Sequence, residues 1–408
     1  MTRVVQSLCD ERPFSLTCRD EKMEPIYLDN LATTPVDPRV VEAMLPYFTE
    51  KFGNASSKGH PFGWKAAEAV EQARVQVASL IGARLPREII FTSGATEANN
   101  LAIKGVAQFH RDRGNHIVTC AIEHRAVLDC CRGLEESGFR VTYLPVDEWG
   151  SVDIDQLMAA LTPETVLISV MAANNEIGTV QPLAQIGEIA KERGILWHCD
   201  GAQAVGKISF DVEELGVDLL SISGHKIYGP KGGGALYVRS RRPRVRLRAQ
   251  IEGGGQERGL RSGTLNVPGI VGLGRASELC LEEMEEEGLR LGGMRDRLLL
   301  GLSQRLEGAY CNGDAAERLP GCLNVSFTGV DGAALLTAFR DIALSAGSAC
   351  SSGESGPSHV LRAIGLGDDL AHASLRFGWG RFNGEEEVAY VIGRVVEEVE
   401  RLRGIEAG

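Results

Sequence analysis

The sequence has no apolar run near the roughly 20 residues that a membrane-spanning helix needs, and residues 1–23 are too polar to predict a signal peptide. None of its ten cysteines forms a CxxC pair, and their scatter does not suggest a zinc site or a secreted disulfide scaffold. The 43 Lys and Arg residues are fewer than the 55 Asp and Glu residues. The net charge of −12 argues against a nucleic-acid surface. These absences predict a cytoplasmic protein without a metal, a membrane or a direct nucleic-acid partner.

One basic run, RSRRPRVRLR at 239–248, is a local exception. We interpret it as a solvated strand edge and loop, with a nucleic-acid contact as the alternative. The first 23 residues lack periodicity and predict a poorly ordered N-terminal arm. Because 408 residues exceed the usual size of a single hydrophobic core, two domains are expected.

Short β-rich runs alternate with helix-like stretches up to about residue 280. Strands are predicted at 88–93, 116–122, 140–145, 166–171, 195–199 and 219–223, with helices that include 96–107 and 182–193. This alternation is typical of a mostly parallel sheet with helices on both faces, an α/β architecture whose binding site lies beyond the carboxyl ends of the strands.

A different pattern follows a long charged helix at 276–307. It predicts strands at 323–327, 342–346 and 374–377, and helices at 332–339 and 385–402. We therefore expect a large domain at 36–284 and a smaller α+β domain made of 24–35 and 285–408.

Two motifs at predicted strand ends suit an anionic cofactor with a basic ring. FTSGATE (91–97) leads through a glycine into a helix amino terminus, which suits a phosphate, although a Ser/Thr-capped helix without a ligand has the same pattern. HCDGAQ (198–203) ends a buried strand at Asp200, which needs a partner such as a protonated pyridine nitrogen. Gln203 could reach the ring's phenolic oxygen. A helix-capping Asp200 is the alternative.

Two further strand ends carry a lysine and a histidine. SISGHK (221–226) places Lys226 where burial would favour Schiff-base chemistry, with Ser223 and His225 suited to the phosphate beside it. A surface lysine in a glycine-rich loop is the alternative. AIEH (121–124) places His124 over the same crevice, where imidazole can stack on a ring and relay protons, unless this histidine is structural.

These residues resemble the Isc/Nif-type cysteine desulfurases, which are fold-type I enzymes dependent on pyridoxal 5′-phosphate (PLP). The similarity extends from about residue 27 to about residue 401. It rests on LDNLATTPVDPRV (28–40), IIFTSGATEANNLAIKG (89–105), EHRAVLD (123–129), NNEIGTVQP (174–182), HCDGAQAVGK (198–207), SGHKIYGPKG (223–232) and RSGTLNVP (261–268). The resemblance implies a large domain with a mostly parallel seven-stranded sheet, beside the smaller α+β domain.

The resemblance also assigns roles to the residues. Lys226 binds PLP as a Schiff base, Asp200 pairs with the pyridine nitrogen and Gln203 with the phenolic oxygen. His124 and Asn175 contact the ring. Four residues of the same chain hold the phosphate: Ala95, Thr96, Ser223 and His225. Thr264 from the neighbouring subunit of a homodimer completes the phosphate site.

The feature that favours a desulfurase over another PLP enzyme is SAGSACSSGESGP (345–357). This Gly/Ser-rich stretch predicts a mobile loop carrying Cys350. The resemblance implies that Cys350 takes the sulfur of L-cysteine as a persulfide and releases L-alanine. Arg376 and Asn175 bind the substrate, and Lys226 and His124 move protons. The sulfur would go to a protein acceptor for iron–sulfur cluster assembly or tRNA thiolation.

Alternatives remain for this stretch and its partners. Cys350 could be incidental, and Arg376 a surface residue. Other functions remain open too: a selenocysteine lyase or another class V PLP enzyme, and a non-enzymatic sulfur carrier or scaffold that retains the fold.

Overall fold

The computed structural model describes residues 25–241, 244–346 and 356–406. Within these ranges the strands are β1 Ile26–Tyr27, β2 Ile89–Thr92, β3 His116–Cys120, β4 Arg140–Leu144, β5 Thr165–Ser169, β6 Leu196–Asp200, β7 Leu219–Ser223, β8 Gly234–Val238, β9 Ala309–Asn312, β10 Cys322–Phe327, β11 Ile342–Ala343 and β12 Ser374–Gly378. The helices are α1 Pro38–Met44, α2 Pro46–Thr49, α3 Pro61–Leu80, α4 Ala95–Phe109, α5 Arg125–Glu136, α6 Ile154–Ala160, α7 Leu183–Arg193, α8 Val267–Ser303, α9 Gly332–Ala338, α10 His359–Ala363, α11 Asp368–His372 and α12 Glu387–Glu406.

The main sheet has seven strands in the order β2-β8-β7-β6-β5-β3-β4. Five neighbouring strands, from β7 to β4, are parallel, whereas β8 runs antiparallel to both β2 and β7. The predicted mostly parallel seven-stranded sheet is therefore confirmed. The strand β8 itself was not predicted, because its apolar residues directly follow a run of glycines that indicated a loop.

Both faces of this sheet are covered, as the apolar strands require. Ile89 and Phe91 on β2 pack into the core on one face, together with residues of α3, α7 and α8. Ile90, between them, packs into the core on the other face with residues of α4 and α5. Each fully buried side chain of this size contributes roughly 1.5–3 kcal/mol.

A second group of elements surrounds its own core. Strands β12, β10 and β9 form an antiparallel sheet, and β1 pairs in parallel with β11. This core combines Leu28 with apolar residues between Leu291 and Leu402. Helix α8 is continuous across residues 284 and 285, where the sequence predicts the domain boundary.

A buried ion pair fixes the segment 251–266 against the edge of the main sheet. The Arg74 guanidinium donates two hydrogen bonds of 2.8 Å to the Glu257 carboxylate, which also accepts from the Phe91 amide at 2.7 Å. Both side chains are almost completely buried. Glu257 and Arg258 have left-handed backbone angles, with φ of 44° and 59°. The ion pair thus stabilises a backbone path that non-glycine residues rarely follow.

Candidate active site

An open cavity of about 530 Å³ lies at the carboxyl edge of the main sheet. Its volume is typical of sites for small molecules and cofactors. The cavity brings together residues from five strand ends and from the starts of α4 and α5. Among its lining residues are nine that the sequence predicts: Ala95, Thr96, His124, Asn175, Asp200, Gln203, Ser223, His225 and Lys226.

One end of the cavity is formed by the amino terminus of α4. Gly94 precedes this helix with φ of 154° and supplies no side-chain cap, so the first amide groups have no capping side chain where Gly94, Ala95 and Thr96 line the opening. A Cβ on Gly234 would lie only 2.5 Å from the Cα of Gly94, so β8 packs against the helix start by backbone alone. This end of the cavity suits an anion such as a phosphate.

Neighbouring side chains add donors at the same end. His225 Nδ1 lies 3.1 Å from Thr33 Oγ1. Burial, followed by the charges of Lys226 and Lys231, lowers the pKa of His225 to about 4, so its ring is neutral at pH 7. A neutral imidazole still offers one N–H donor.

Asp200 lies at the end of β6 with its carboxylate buried. Asn99 Nδ2 donates to one of its oxygens at 2.6 Å, and the Ala202 amide donates to the other at 2.9 Å. Two fixed donors hold the carboxylate in one orientation. Sequence reasoning missed Asn99, although a polar residue between the buried Ala98 and Leu101 of α4 was a signal.

His124 is the N-cap of α5, and its Nδ1 accepts a hydrogen bond of 3.1 Å from the Ala126 amide. The neutral ring therefore carries its proton on Nε2. Burial lowers the pKa of His124, and the charge of Lys226 acts in the same direction against that of Asp200. In this form the ring offers its Nε2–H as a hydrogen-bond donor, while its Nδ1 is occupied by the Ala126 amide.

The lysine of the site and its neighbours form a tight group. Lys226 Nζ donates to the carbonyl oxygens of Leu31 and Ala32, the latter at 2.8 Å. The Gln203 amide lies between Leu31 and a second lysine, Lys207, whose Nζ is 2.8 Å from Gln203 Oε1. Lys207 was missed from the sequence, since nothing in its local pattern distinguishes it from a surface lysine.

Two predicted residues lie outside the cavity lining. Arg376 is buried, and its guanidinium donates to the backbone oxygen of Asn175 at 2.9 Å and to the Asp29 carboxylate at 2.8 Å. Thr264 is exposed in the segment before α8. Cys350 lies outside the described residues, as does the predicted N-terminal arm at 1–23.

The donor set of the cavity matches the chemistry of PLP. Uncapped helix amides with Ser223 and His225 suit its phosphate, the fixed Asp200 carboxylate suits a protonated pyridine nitrogen, and Lys226 supplies an amine. The buried Asp200 has only uncharged donors among the described residues. A cationic ring nitrogen would compensate the charge of this buried carboxylate.

Comparisons with known proteins point to the same chemistry. The model of the class V aminotransferases matches residues 26–391. The cysteine desulfurase IscS of Anaeromyxobacter dehalogenans (strain 2CP-C) is 59% identical over 379 residues, which are 93% of each protein. The chain belongs to the cysteine desulfurases of the class V aminotransferase family.

Two solved structures are also similar to this chain. The structure of a NifS-like protein has a TM-score of 0.85 and 41% identity, and the match covers 93% of this chain and all of that one. The structure of "SspA in complex with cysteine" has a TM-score of 0.75 and 40% identity, covering 86% of this chain and 98% of the other.

Membership of the cysteine desulfurases confirms the predicted family, the fold class and PLP as the cofactor, so the chain is a PLP-dependent enzyme. The non-enzymatic carrier reading is thereby disfavoured. Within the described ranges, no helix combines the length and the apolar character that crossing a bilayer requires. The roles of individual residues stay predictions.

The thiols of this cysteine desulfurase differ in their surroundings. Of the cysteines in the described ranges, Cys311 alone is partly exposed, and the others are buried. Burial raises the pKa of Cys120 and of Cys199 far above the ordinary thiol value. Buried thiols of this kind are inert, because the thiolate is the reactive form.

Proposed function

We propose that the chain converts L-cysteine to L-alanine and receives the sulfur as a persulfide on Cys350. The observation that carries this proposal is the cavity that combines Lys226 with the fixed Asp200 carboxylate and an anion-binding helix terminus. The solved complex of a relative with cysteine supports the substrate. Family membership supports the reaction.

When bound, PLP supplies an electron sink for the negative charge that develops next to the substrate's α-carbon. In this proposal Arg376 binds the substrate carboxylate, Asn175 helps to orient the substrate, and Lys226 removes the α-proton. His124 carries the remaining proton transfers around the cofactor. Arg376 is held within β12 and His124 caps α5, so their positions are fixed before substrate arrives.

Sulfur transfer then follows from a thiolate attack. The Cys350 thiolate forms an S–S bond with the substrate sulfur while the substrate C–S bond breaks. The bonding electron pair stays with the β-carbon, which takes up a proton and leaves as the methyl group of alanine. The sulfur that moves is thereby oxidised to the sulfane level, and the carbon is reduced by the same two electrons.

The test compares Cys350→Ser with Cys311→Ser, which removes the partly exposed thiol beside Arg318. Both variants are incubated with L-cysteine. Alanine and sulfide are measured in the presence of a reductant, and the intact proteins are weighed by mass spectrometry after an incubation without reductant. We expect Cys350→Ser to lose alanine formation and the 32 Da sulfur adduct expected for a persulfide, and Cys311→Ser to keep both. Full cysteine turnover by Cys350→Ser would exclude the persulfide mechanism. Selenocysteine turnover can survive in that variant, since selenium can leave without thiol attack, so Cys350→Ser separates the two activities.

We also propose a homodimer in which Thr264 completes the phosphate site of the partner subunit. Thr264 is exposed and lies outside the cavity of its own chain. Six apolar side chains between α1 and the start of α3 are 40–63% exposed, an area that a second copy would bury. These are Val41, Leu45, Phe48, Phe52, Phe62 and Trp64.

Mixed dimers test this arrangement. Lys226→Ala and Thr264→Ala chains are unfolded together and refolded, and alanine formation is compared with that of each variant alone. If Thr264 serves the partner's site, the mixed dimer contains one complete site and recovers activity. No recovery in proven mixed dimers would place Thr264 in its own chain's site.

The proposed sulfur acceptor is a protein, such as an iron–sulfur scaffold or a tRNA-thiolation carrier, and the proposed location is the cytoplasm. The described cysteines form no disulfide, which is typical of a reducing compartment. Labelled persulfide on the enzyme should pass to a purified candidate acceptor faster than to a small thiol at equal concentration. Equal rates would contradict a dedicated protein acceptor.

A further inference from the structure

The Gln203 side chain is held at both ends of its amide group. Its Nε2 donates to the carbonyl oxygen of Leu31 at 2.9 Å, and its Oε1 accepts from Lys207 Nζ at 2.8 Å. Gln203 is buried and lines the cavity, whereas Lys207 lines a small separate space behind it. Lys207 is four residues beyond Gln203 in the chain, and the proposed mechanism does not use it.

These two contacts allow only one orientation of the amide. The ammonium form of Lys207 is purely a donor, and the Leu31 carbonyl is purely an acceptor. Rotating the amide by 180° would set N–H against the Lys207 amine and oxygen against oxygen at Leu31. Gln203 must therefore keep its NH₂ group on the side of Leu31. Of the two N–H donors, one is used by Leu31 and one remains.

Both charge states of Lys207 are compatible with the observed orientation of the Gln203 amide. Burial lowers the pKa of Lys207 to about 7, and the charge of Lys226 contributes in the same direction. The other titratable groups that act on it are Cys322, Arg376 and Cys280. Either form of the amine keeps an N–H to donate to Gln203 Oε1.

We propose that Lys207 is a positioning residue, which locks the Gln203 amide so that its remaining N–H faces the phenolic oxygen of PLP. Without the hydrogen bond from Lys207, the Gln203 amide can turn its oxygen toward the cofactor, where it would repel the phenolate. This inference rests on the proposed contact between Gln203 and the cofactor, but not on the substrate or on Cys350.

The test is a double-mutant cycle on the holoenzyme in the absence of cysteine. The absorbance of bound PLP is titrated against pH in wild type, Lys207→Met, Gln203→Leu and the double variant, with exposed Lys191→Met as the control. A donor to the phenolic oxygen stabilises the unprotonated form of the cofactor–Lys226 linkage. We expect Lys207→Met to raise the titration midpoint by about half a pH unit or more, a threefold change in proton affinity.

The Gln203→Leu background separates orientation from charge. If Lys207 acts through Gln203, Lys207→Met changes the midpoint little when Gln203 is absent. An equal rise in both backgrounds would show a direct effect of charge and overturn the proposal, as would an unchanged midpoint in the wild-type background. Should Lys207→Met not fold, Lys207→Gln retains an N–H donor without the charge. The proposal then requires a midpoint close to that of wild type, and a full rise overturns it.

Discussion

Replacing Glu257 by Gln should destabilise the enzyme far more than replacing Glu71, although both carboxylates bind the same arginine. Glu257 accepts two hydrogen bonds from Arg74 and one from the Phe91 amide, in a site where both side chains are at most 4% exposed. Glu71 makes one contact of 3.1 Å and its side chain is 62% exposed. The two variants thus compare a buried pair with a solvent-exposed pair.

The expected magnitudes follow from burial. Breaking a buried ion pair costs about 3–5 kcal/mol, because the remaining charge loses its buried counterion, whereas an exposed pair contributes roughly 0–1 kcal/mol. A Gln at 257 keeps one acceptor oxygen, so we expect about 3 kcal/mol, at the lower end of the range.

The assay is urea unfolding of the holoenzyme, followed by circular dichroism, with the slope checked between variants. Because Glu257 anchors the segment that carries Thr264, the Glu257→Gln variant should also bind PLP more weakly. Equal unfolding midpoints for the two variants would refute the assignment of the buried pair.

Three further predictions concern the cofactor site and its supports. Asp200→Asn removes the charge opposite the ring nitrogen and should weaken PLP binding by about 1.5–3 kcal/mol, measured by equilibrium dialysis; unchanged affinity would contradict the pairing. Gly234→Ala should displace Gly94 and weaken PLP binding, as measured by dialysis. Gly292→Ala has nothing within 4 Å of the new Cβ and should stabilise α8 by about 1 kcal/mol, as measured by thermal unfolding. Equal effects of the two variants in both assays would refute this difference. Burial lowers the pKa of His198 to about 4, below its value of 6.5 in the unfolded chain. The free energy of unfolding should therefore fall by up to about 3 kcal/mol as the pH drops from 6.5 to 4. Over this pH range the unfolding midpoint of His198→Gln should fall less than that of wild type.

The strand-end rule accounts for what the sequence revealed of the site. Asp200, Ser223 and His124 lie at or just after the carboxyl ends of parallel strands, so a correct strand reading was sufficient to bring them together. The antiparallel strand β8 follows no such local rule. Its five residues after a glycine run give too short a pattern to separate a strand from a loop.

Asn99 and Lys207 were missed from the sequence for a different reason. Each acts through another side chain, Asn99 on Asp200 and Lys207 on Gln203. A residue's own neighbours in the chain do not specify such a contact, which depends on how a helix and a strand end pack in three dimensions.

The direction of β8 limits where this enzyme can change. Parallel neighbours need a crossover of a dozen or more residues, but antiparallel β7 and β8 are joined by residues 224–233 alone. Gly224 and Gly233 are hydrogen-bonded across that connection at 2.9 Å, and the Gly229 amide donates back to the Gly224 carbonyl. Lys226 is therefore on one of the least extensible connections at the site. Insertions that alter substrate or acceptor preference should be tolerated in the strand-to-helix connections of the main sheet. Insertions within 224–233 should instead disrupt the fold, so a redesign of the enzyme should leave this segment unchanged.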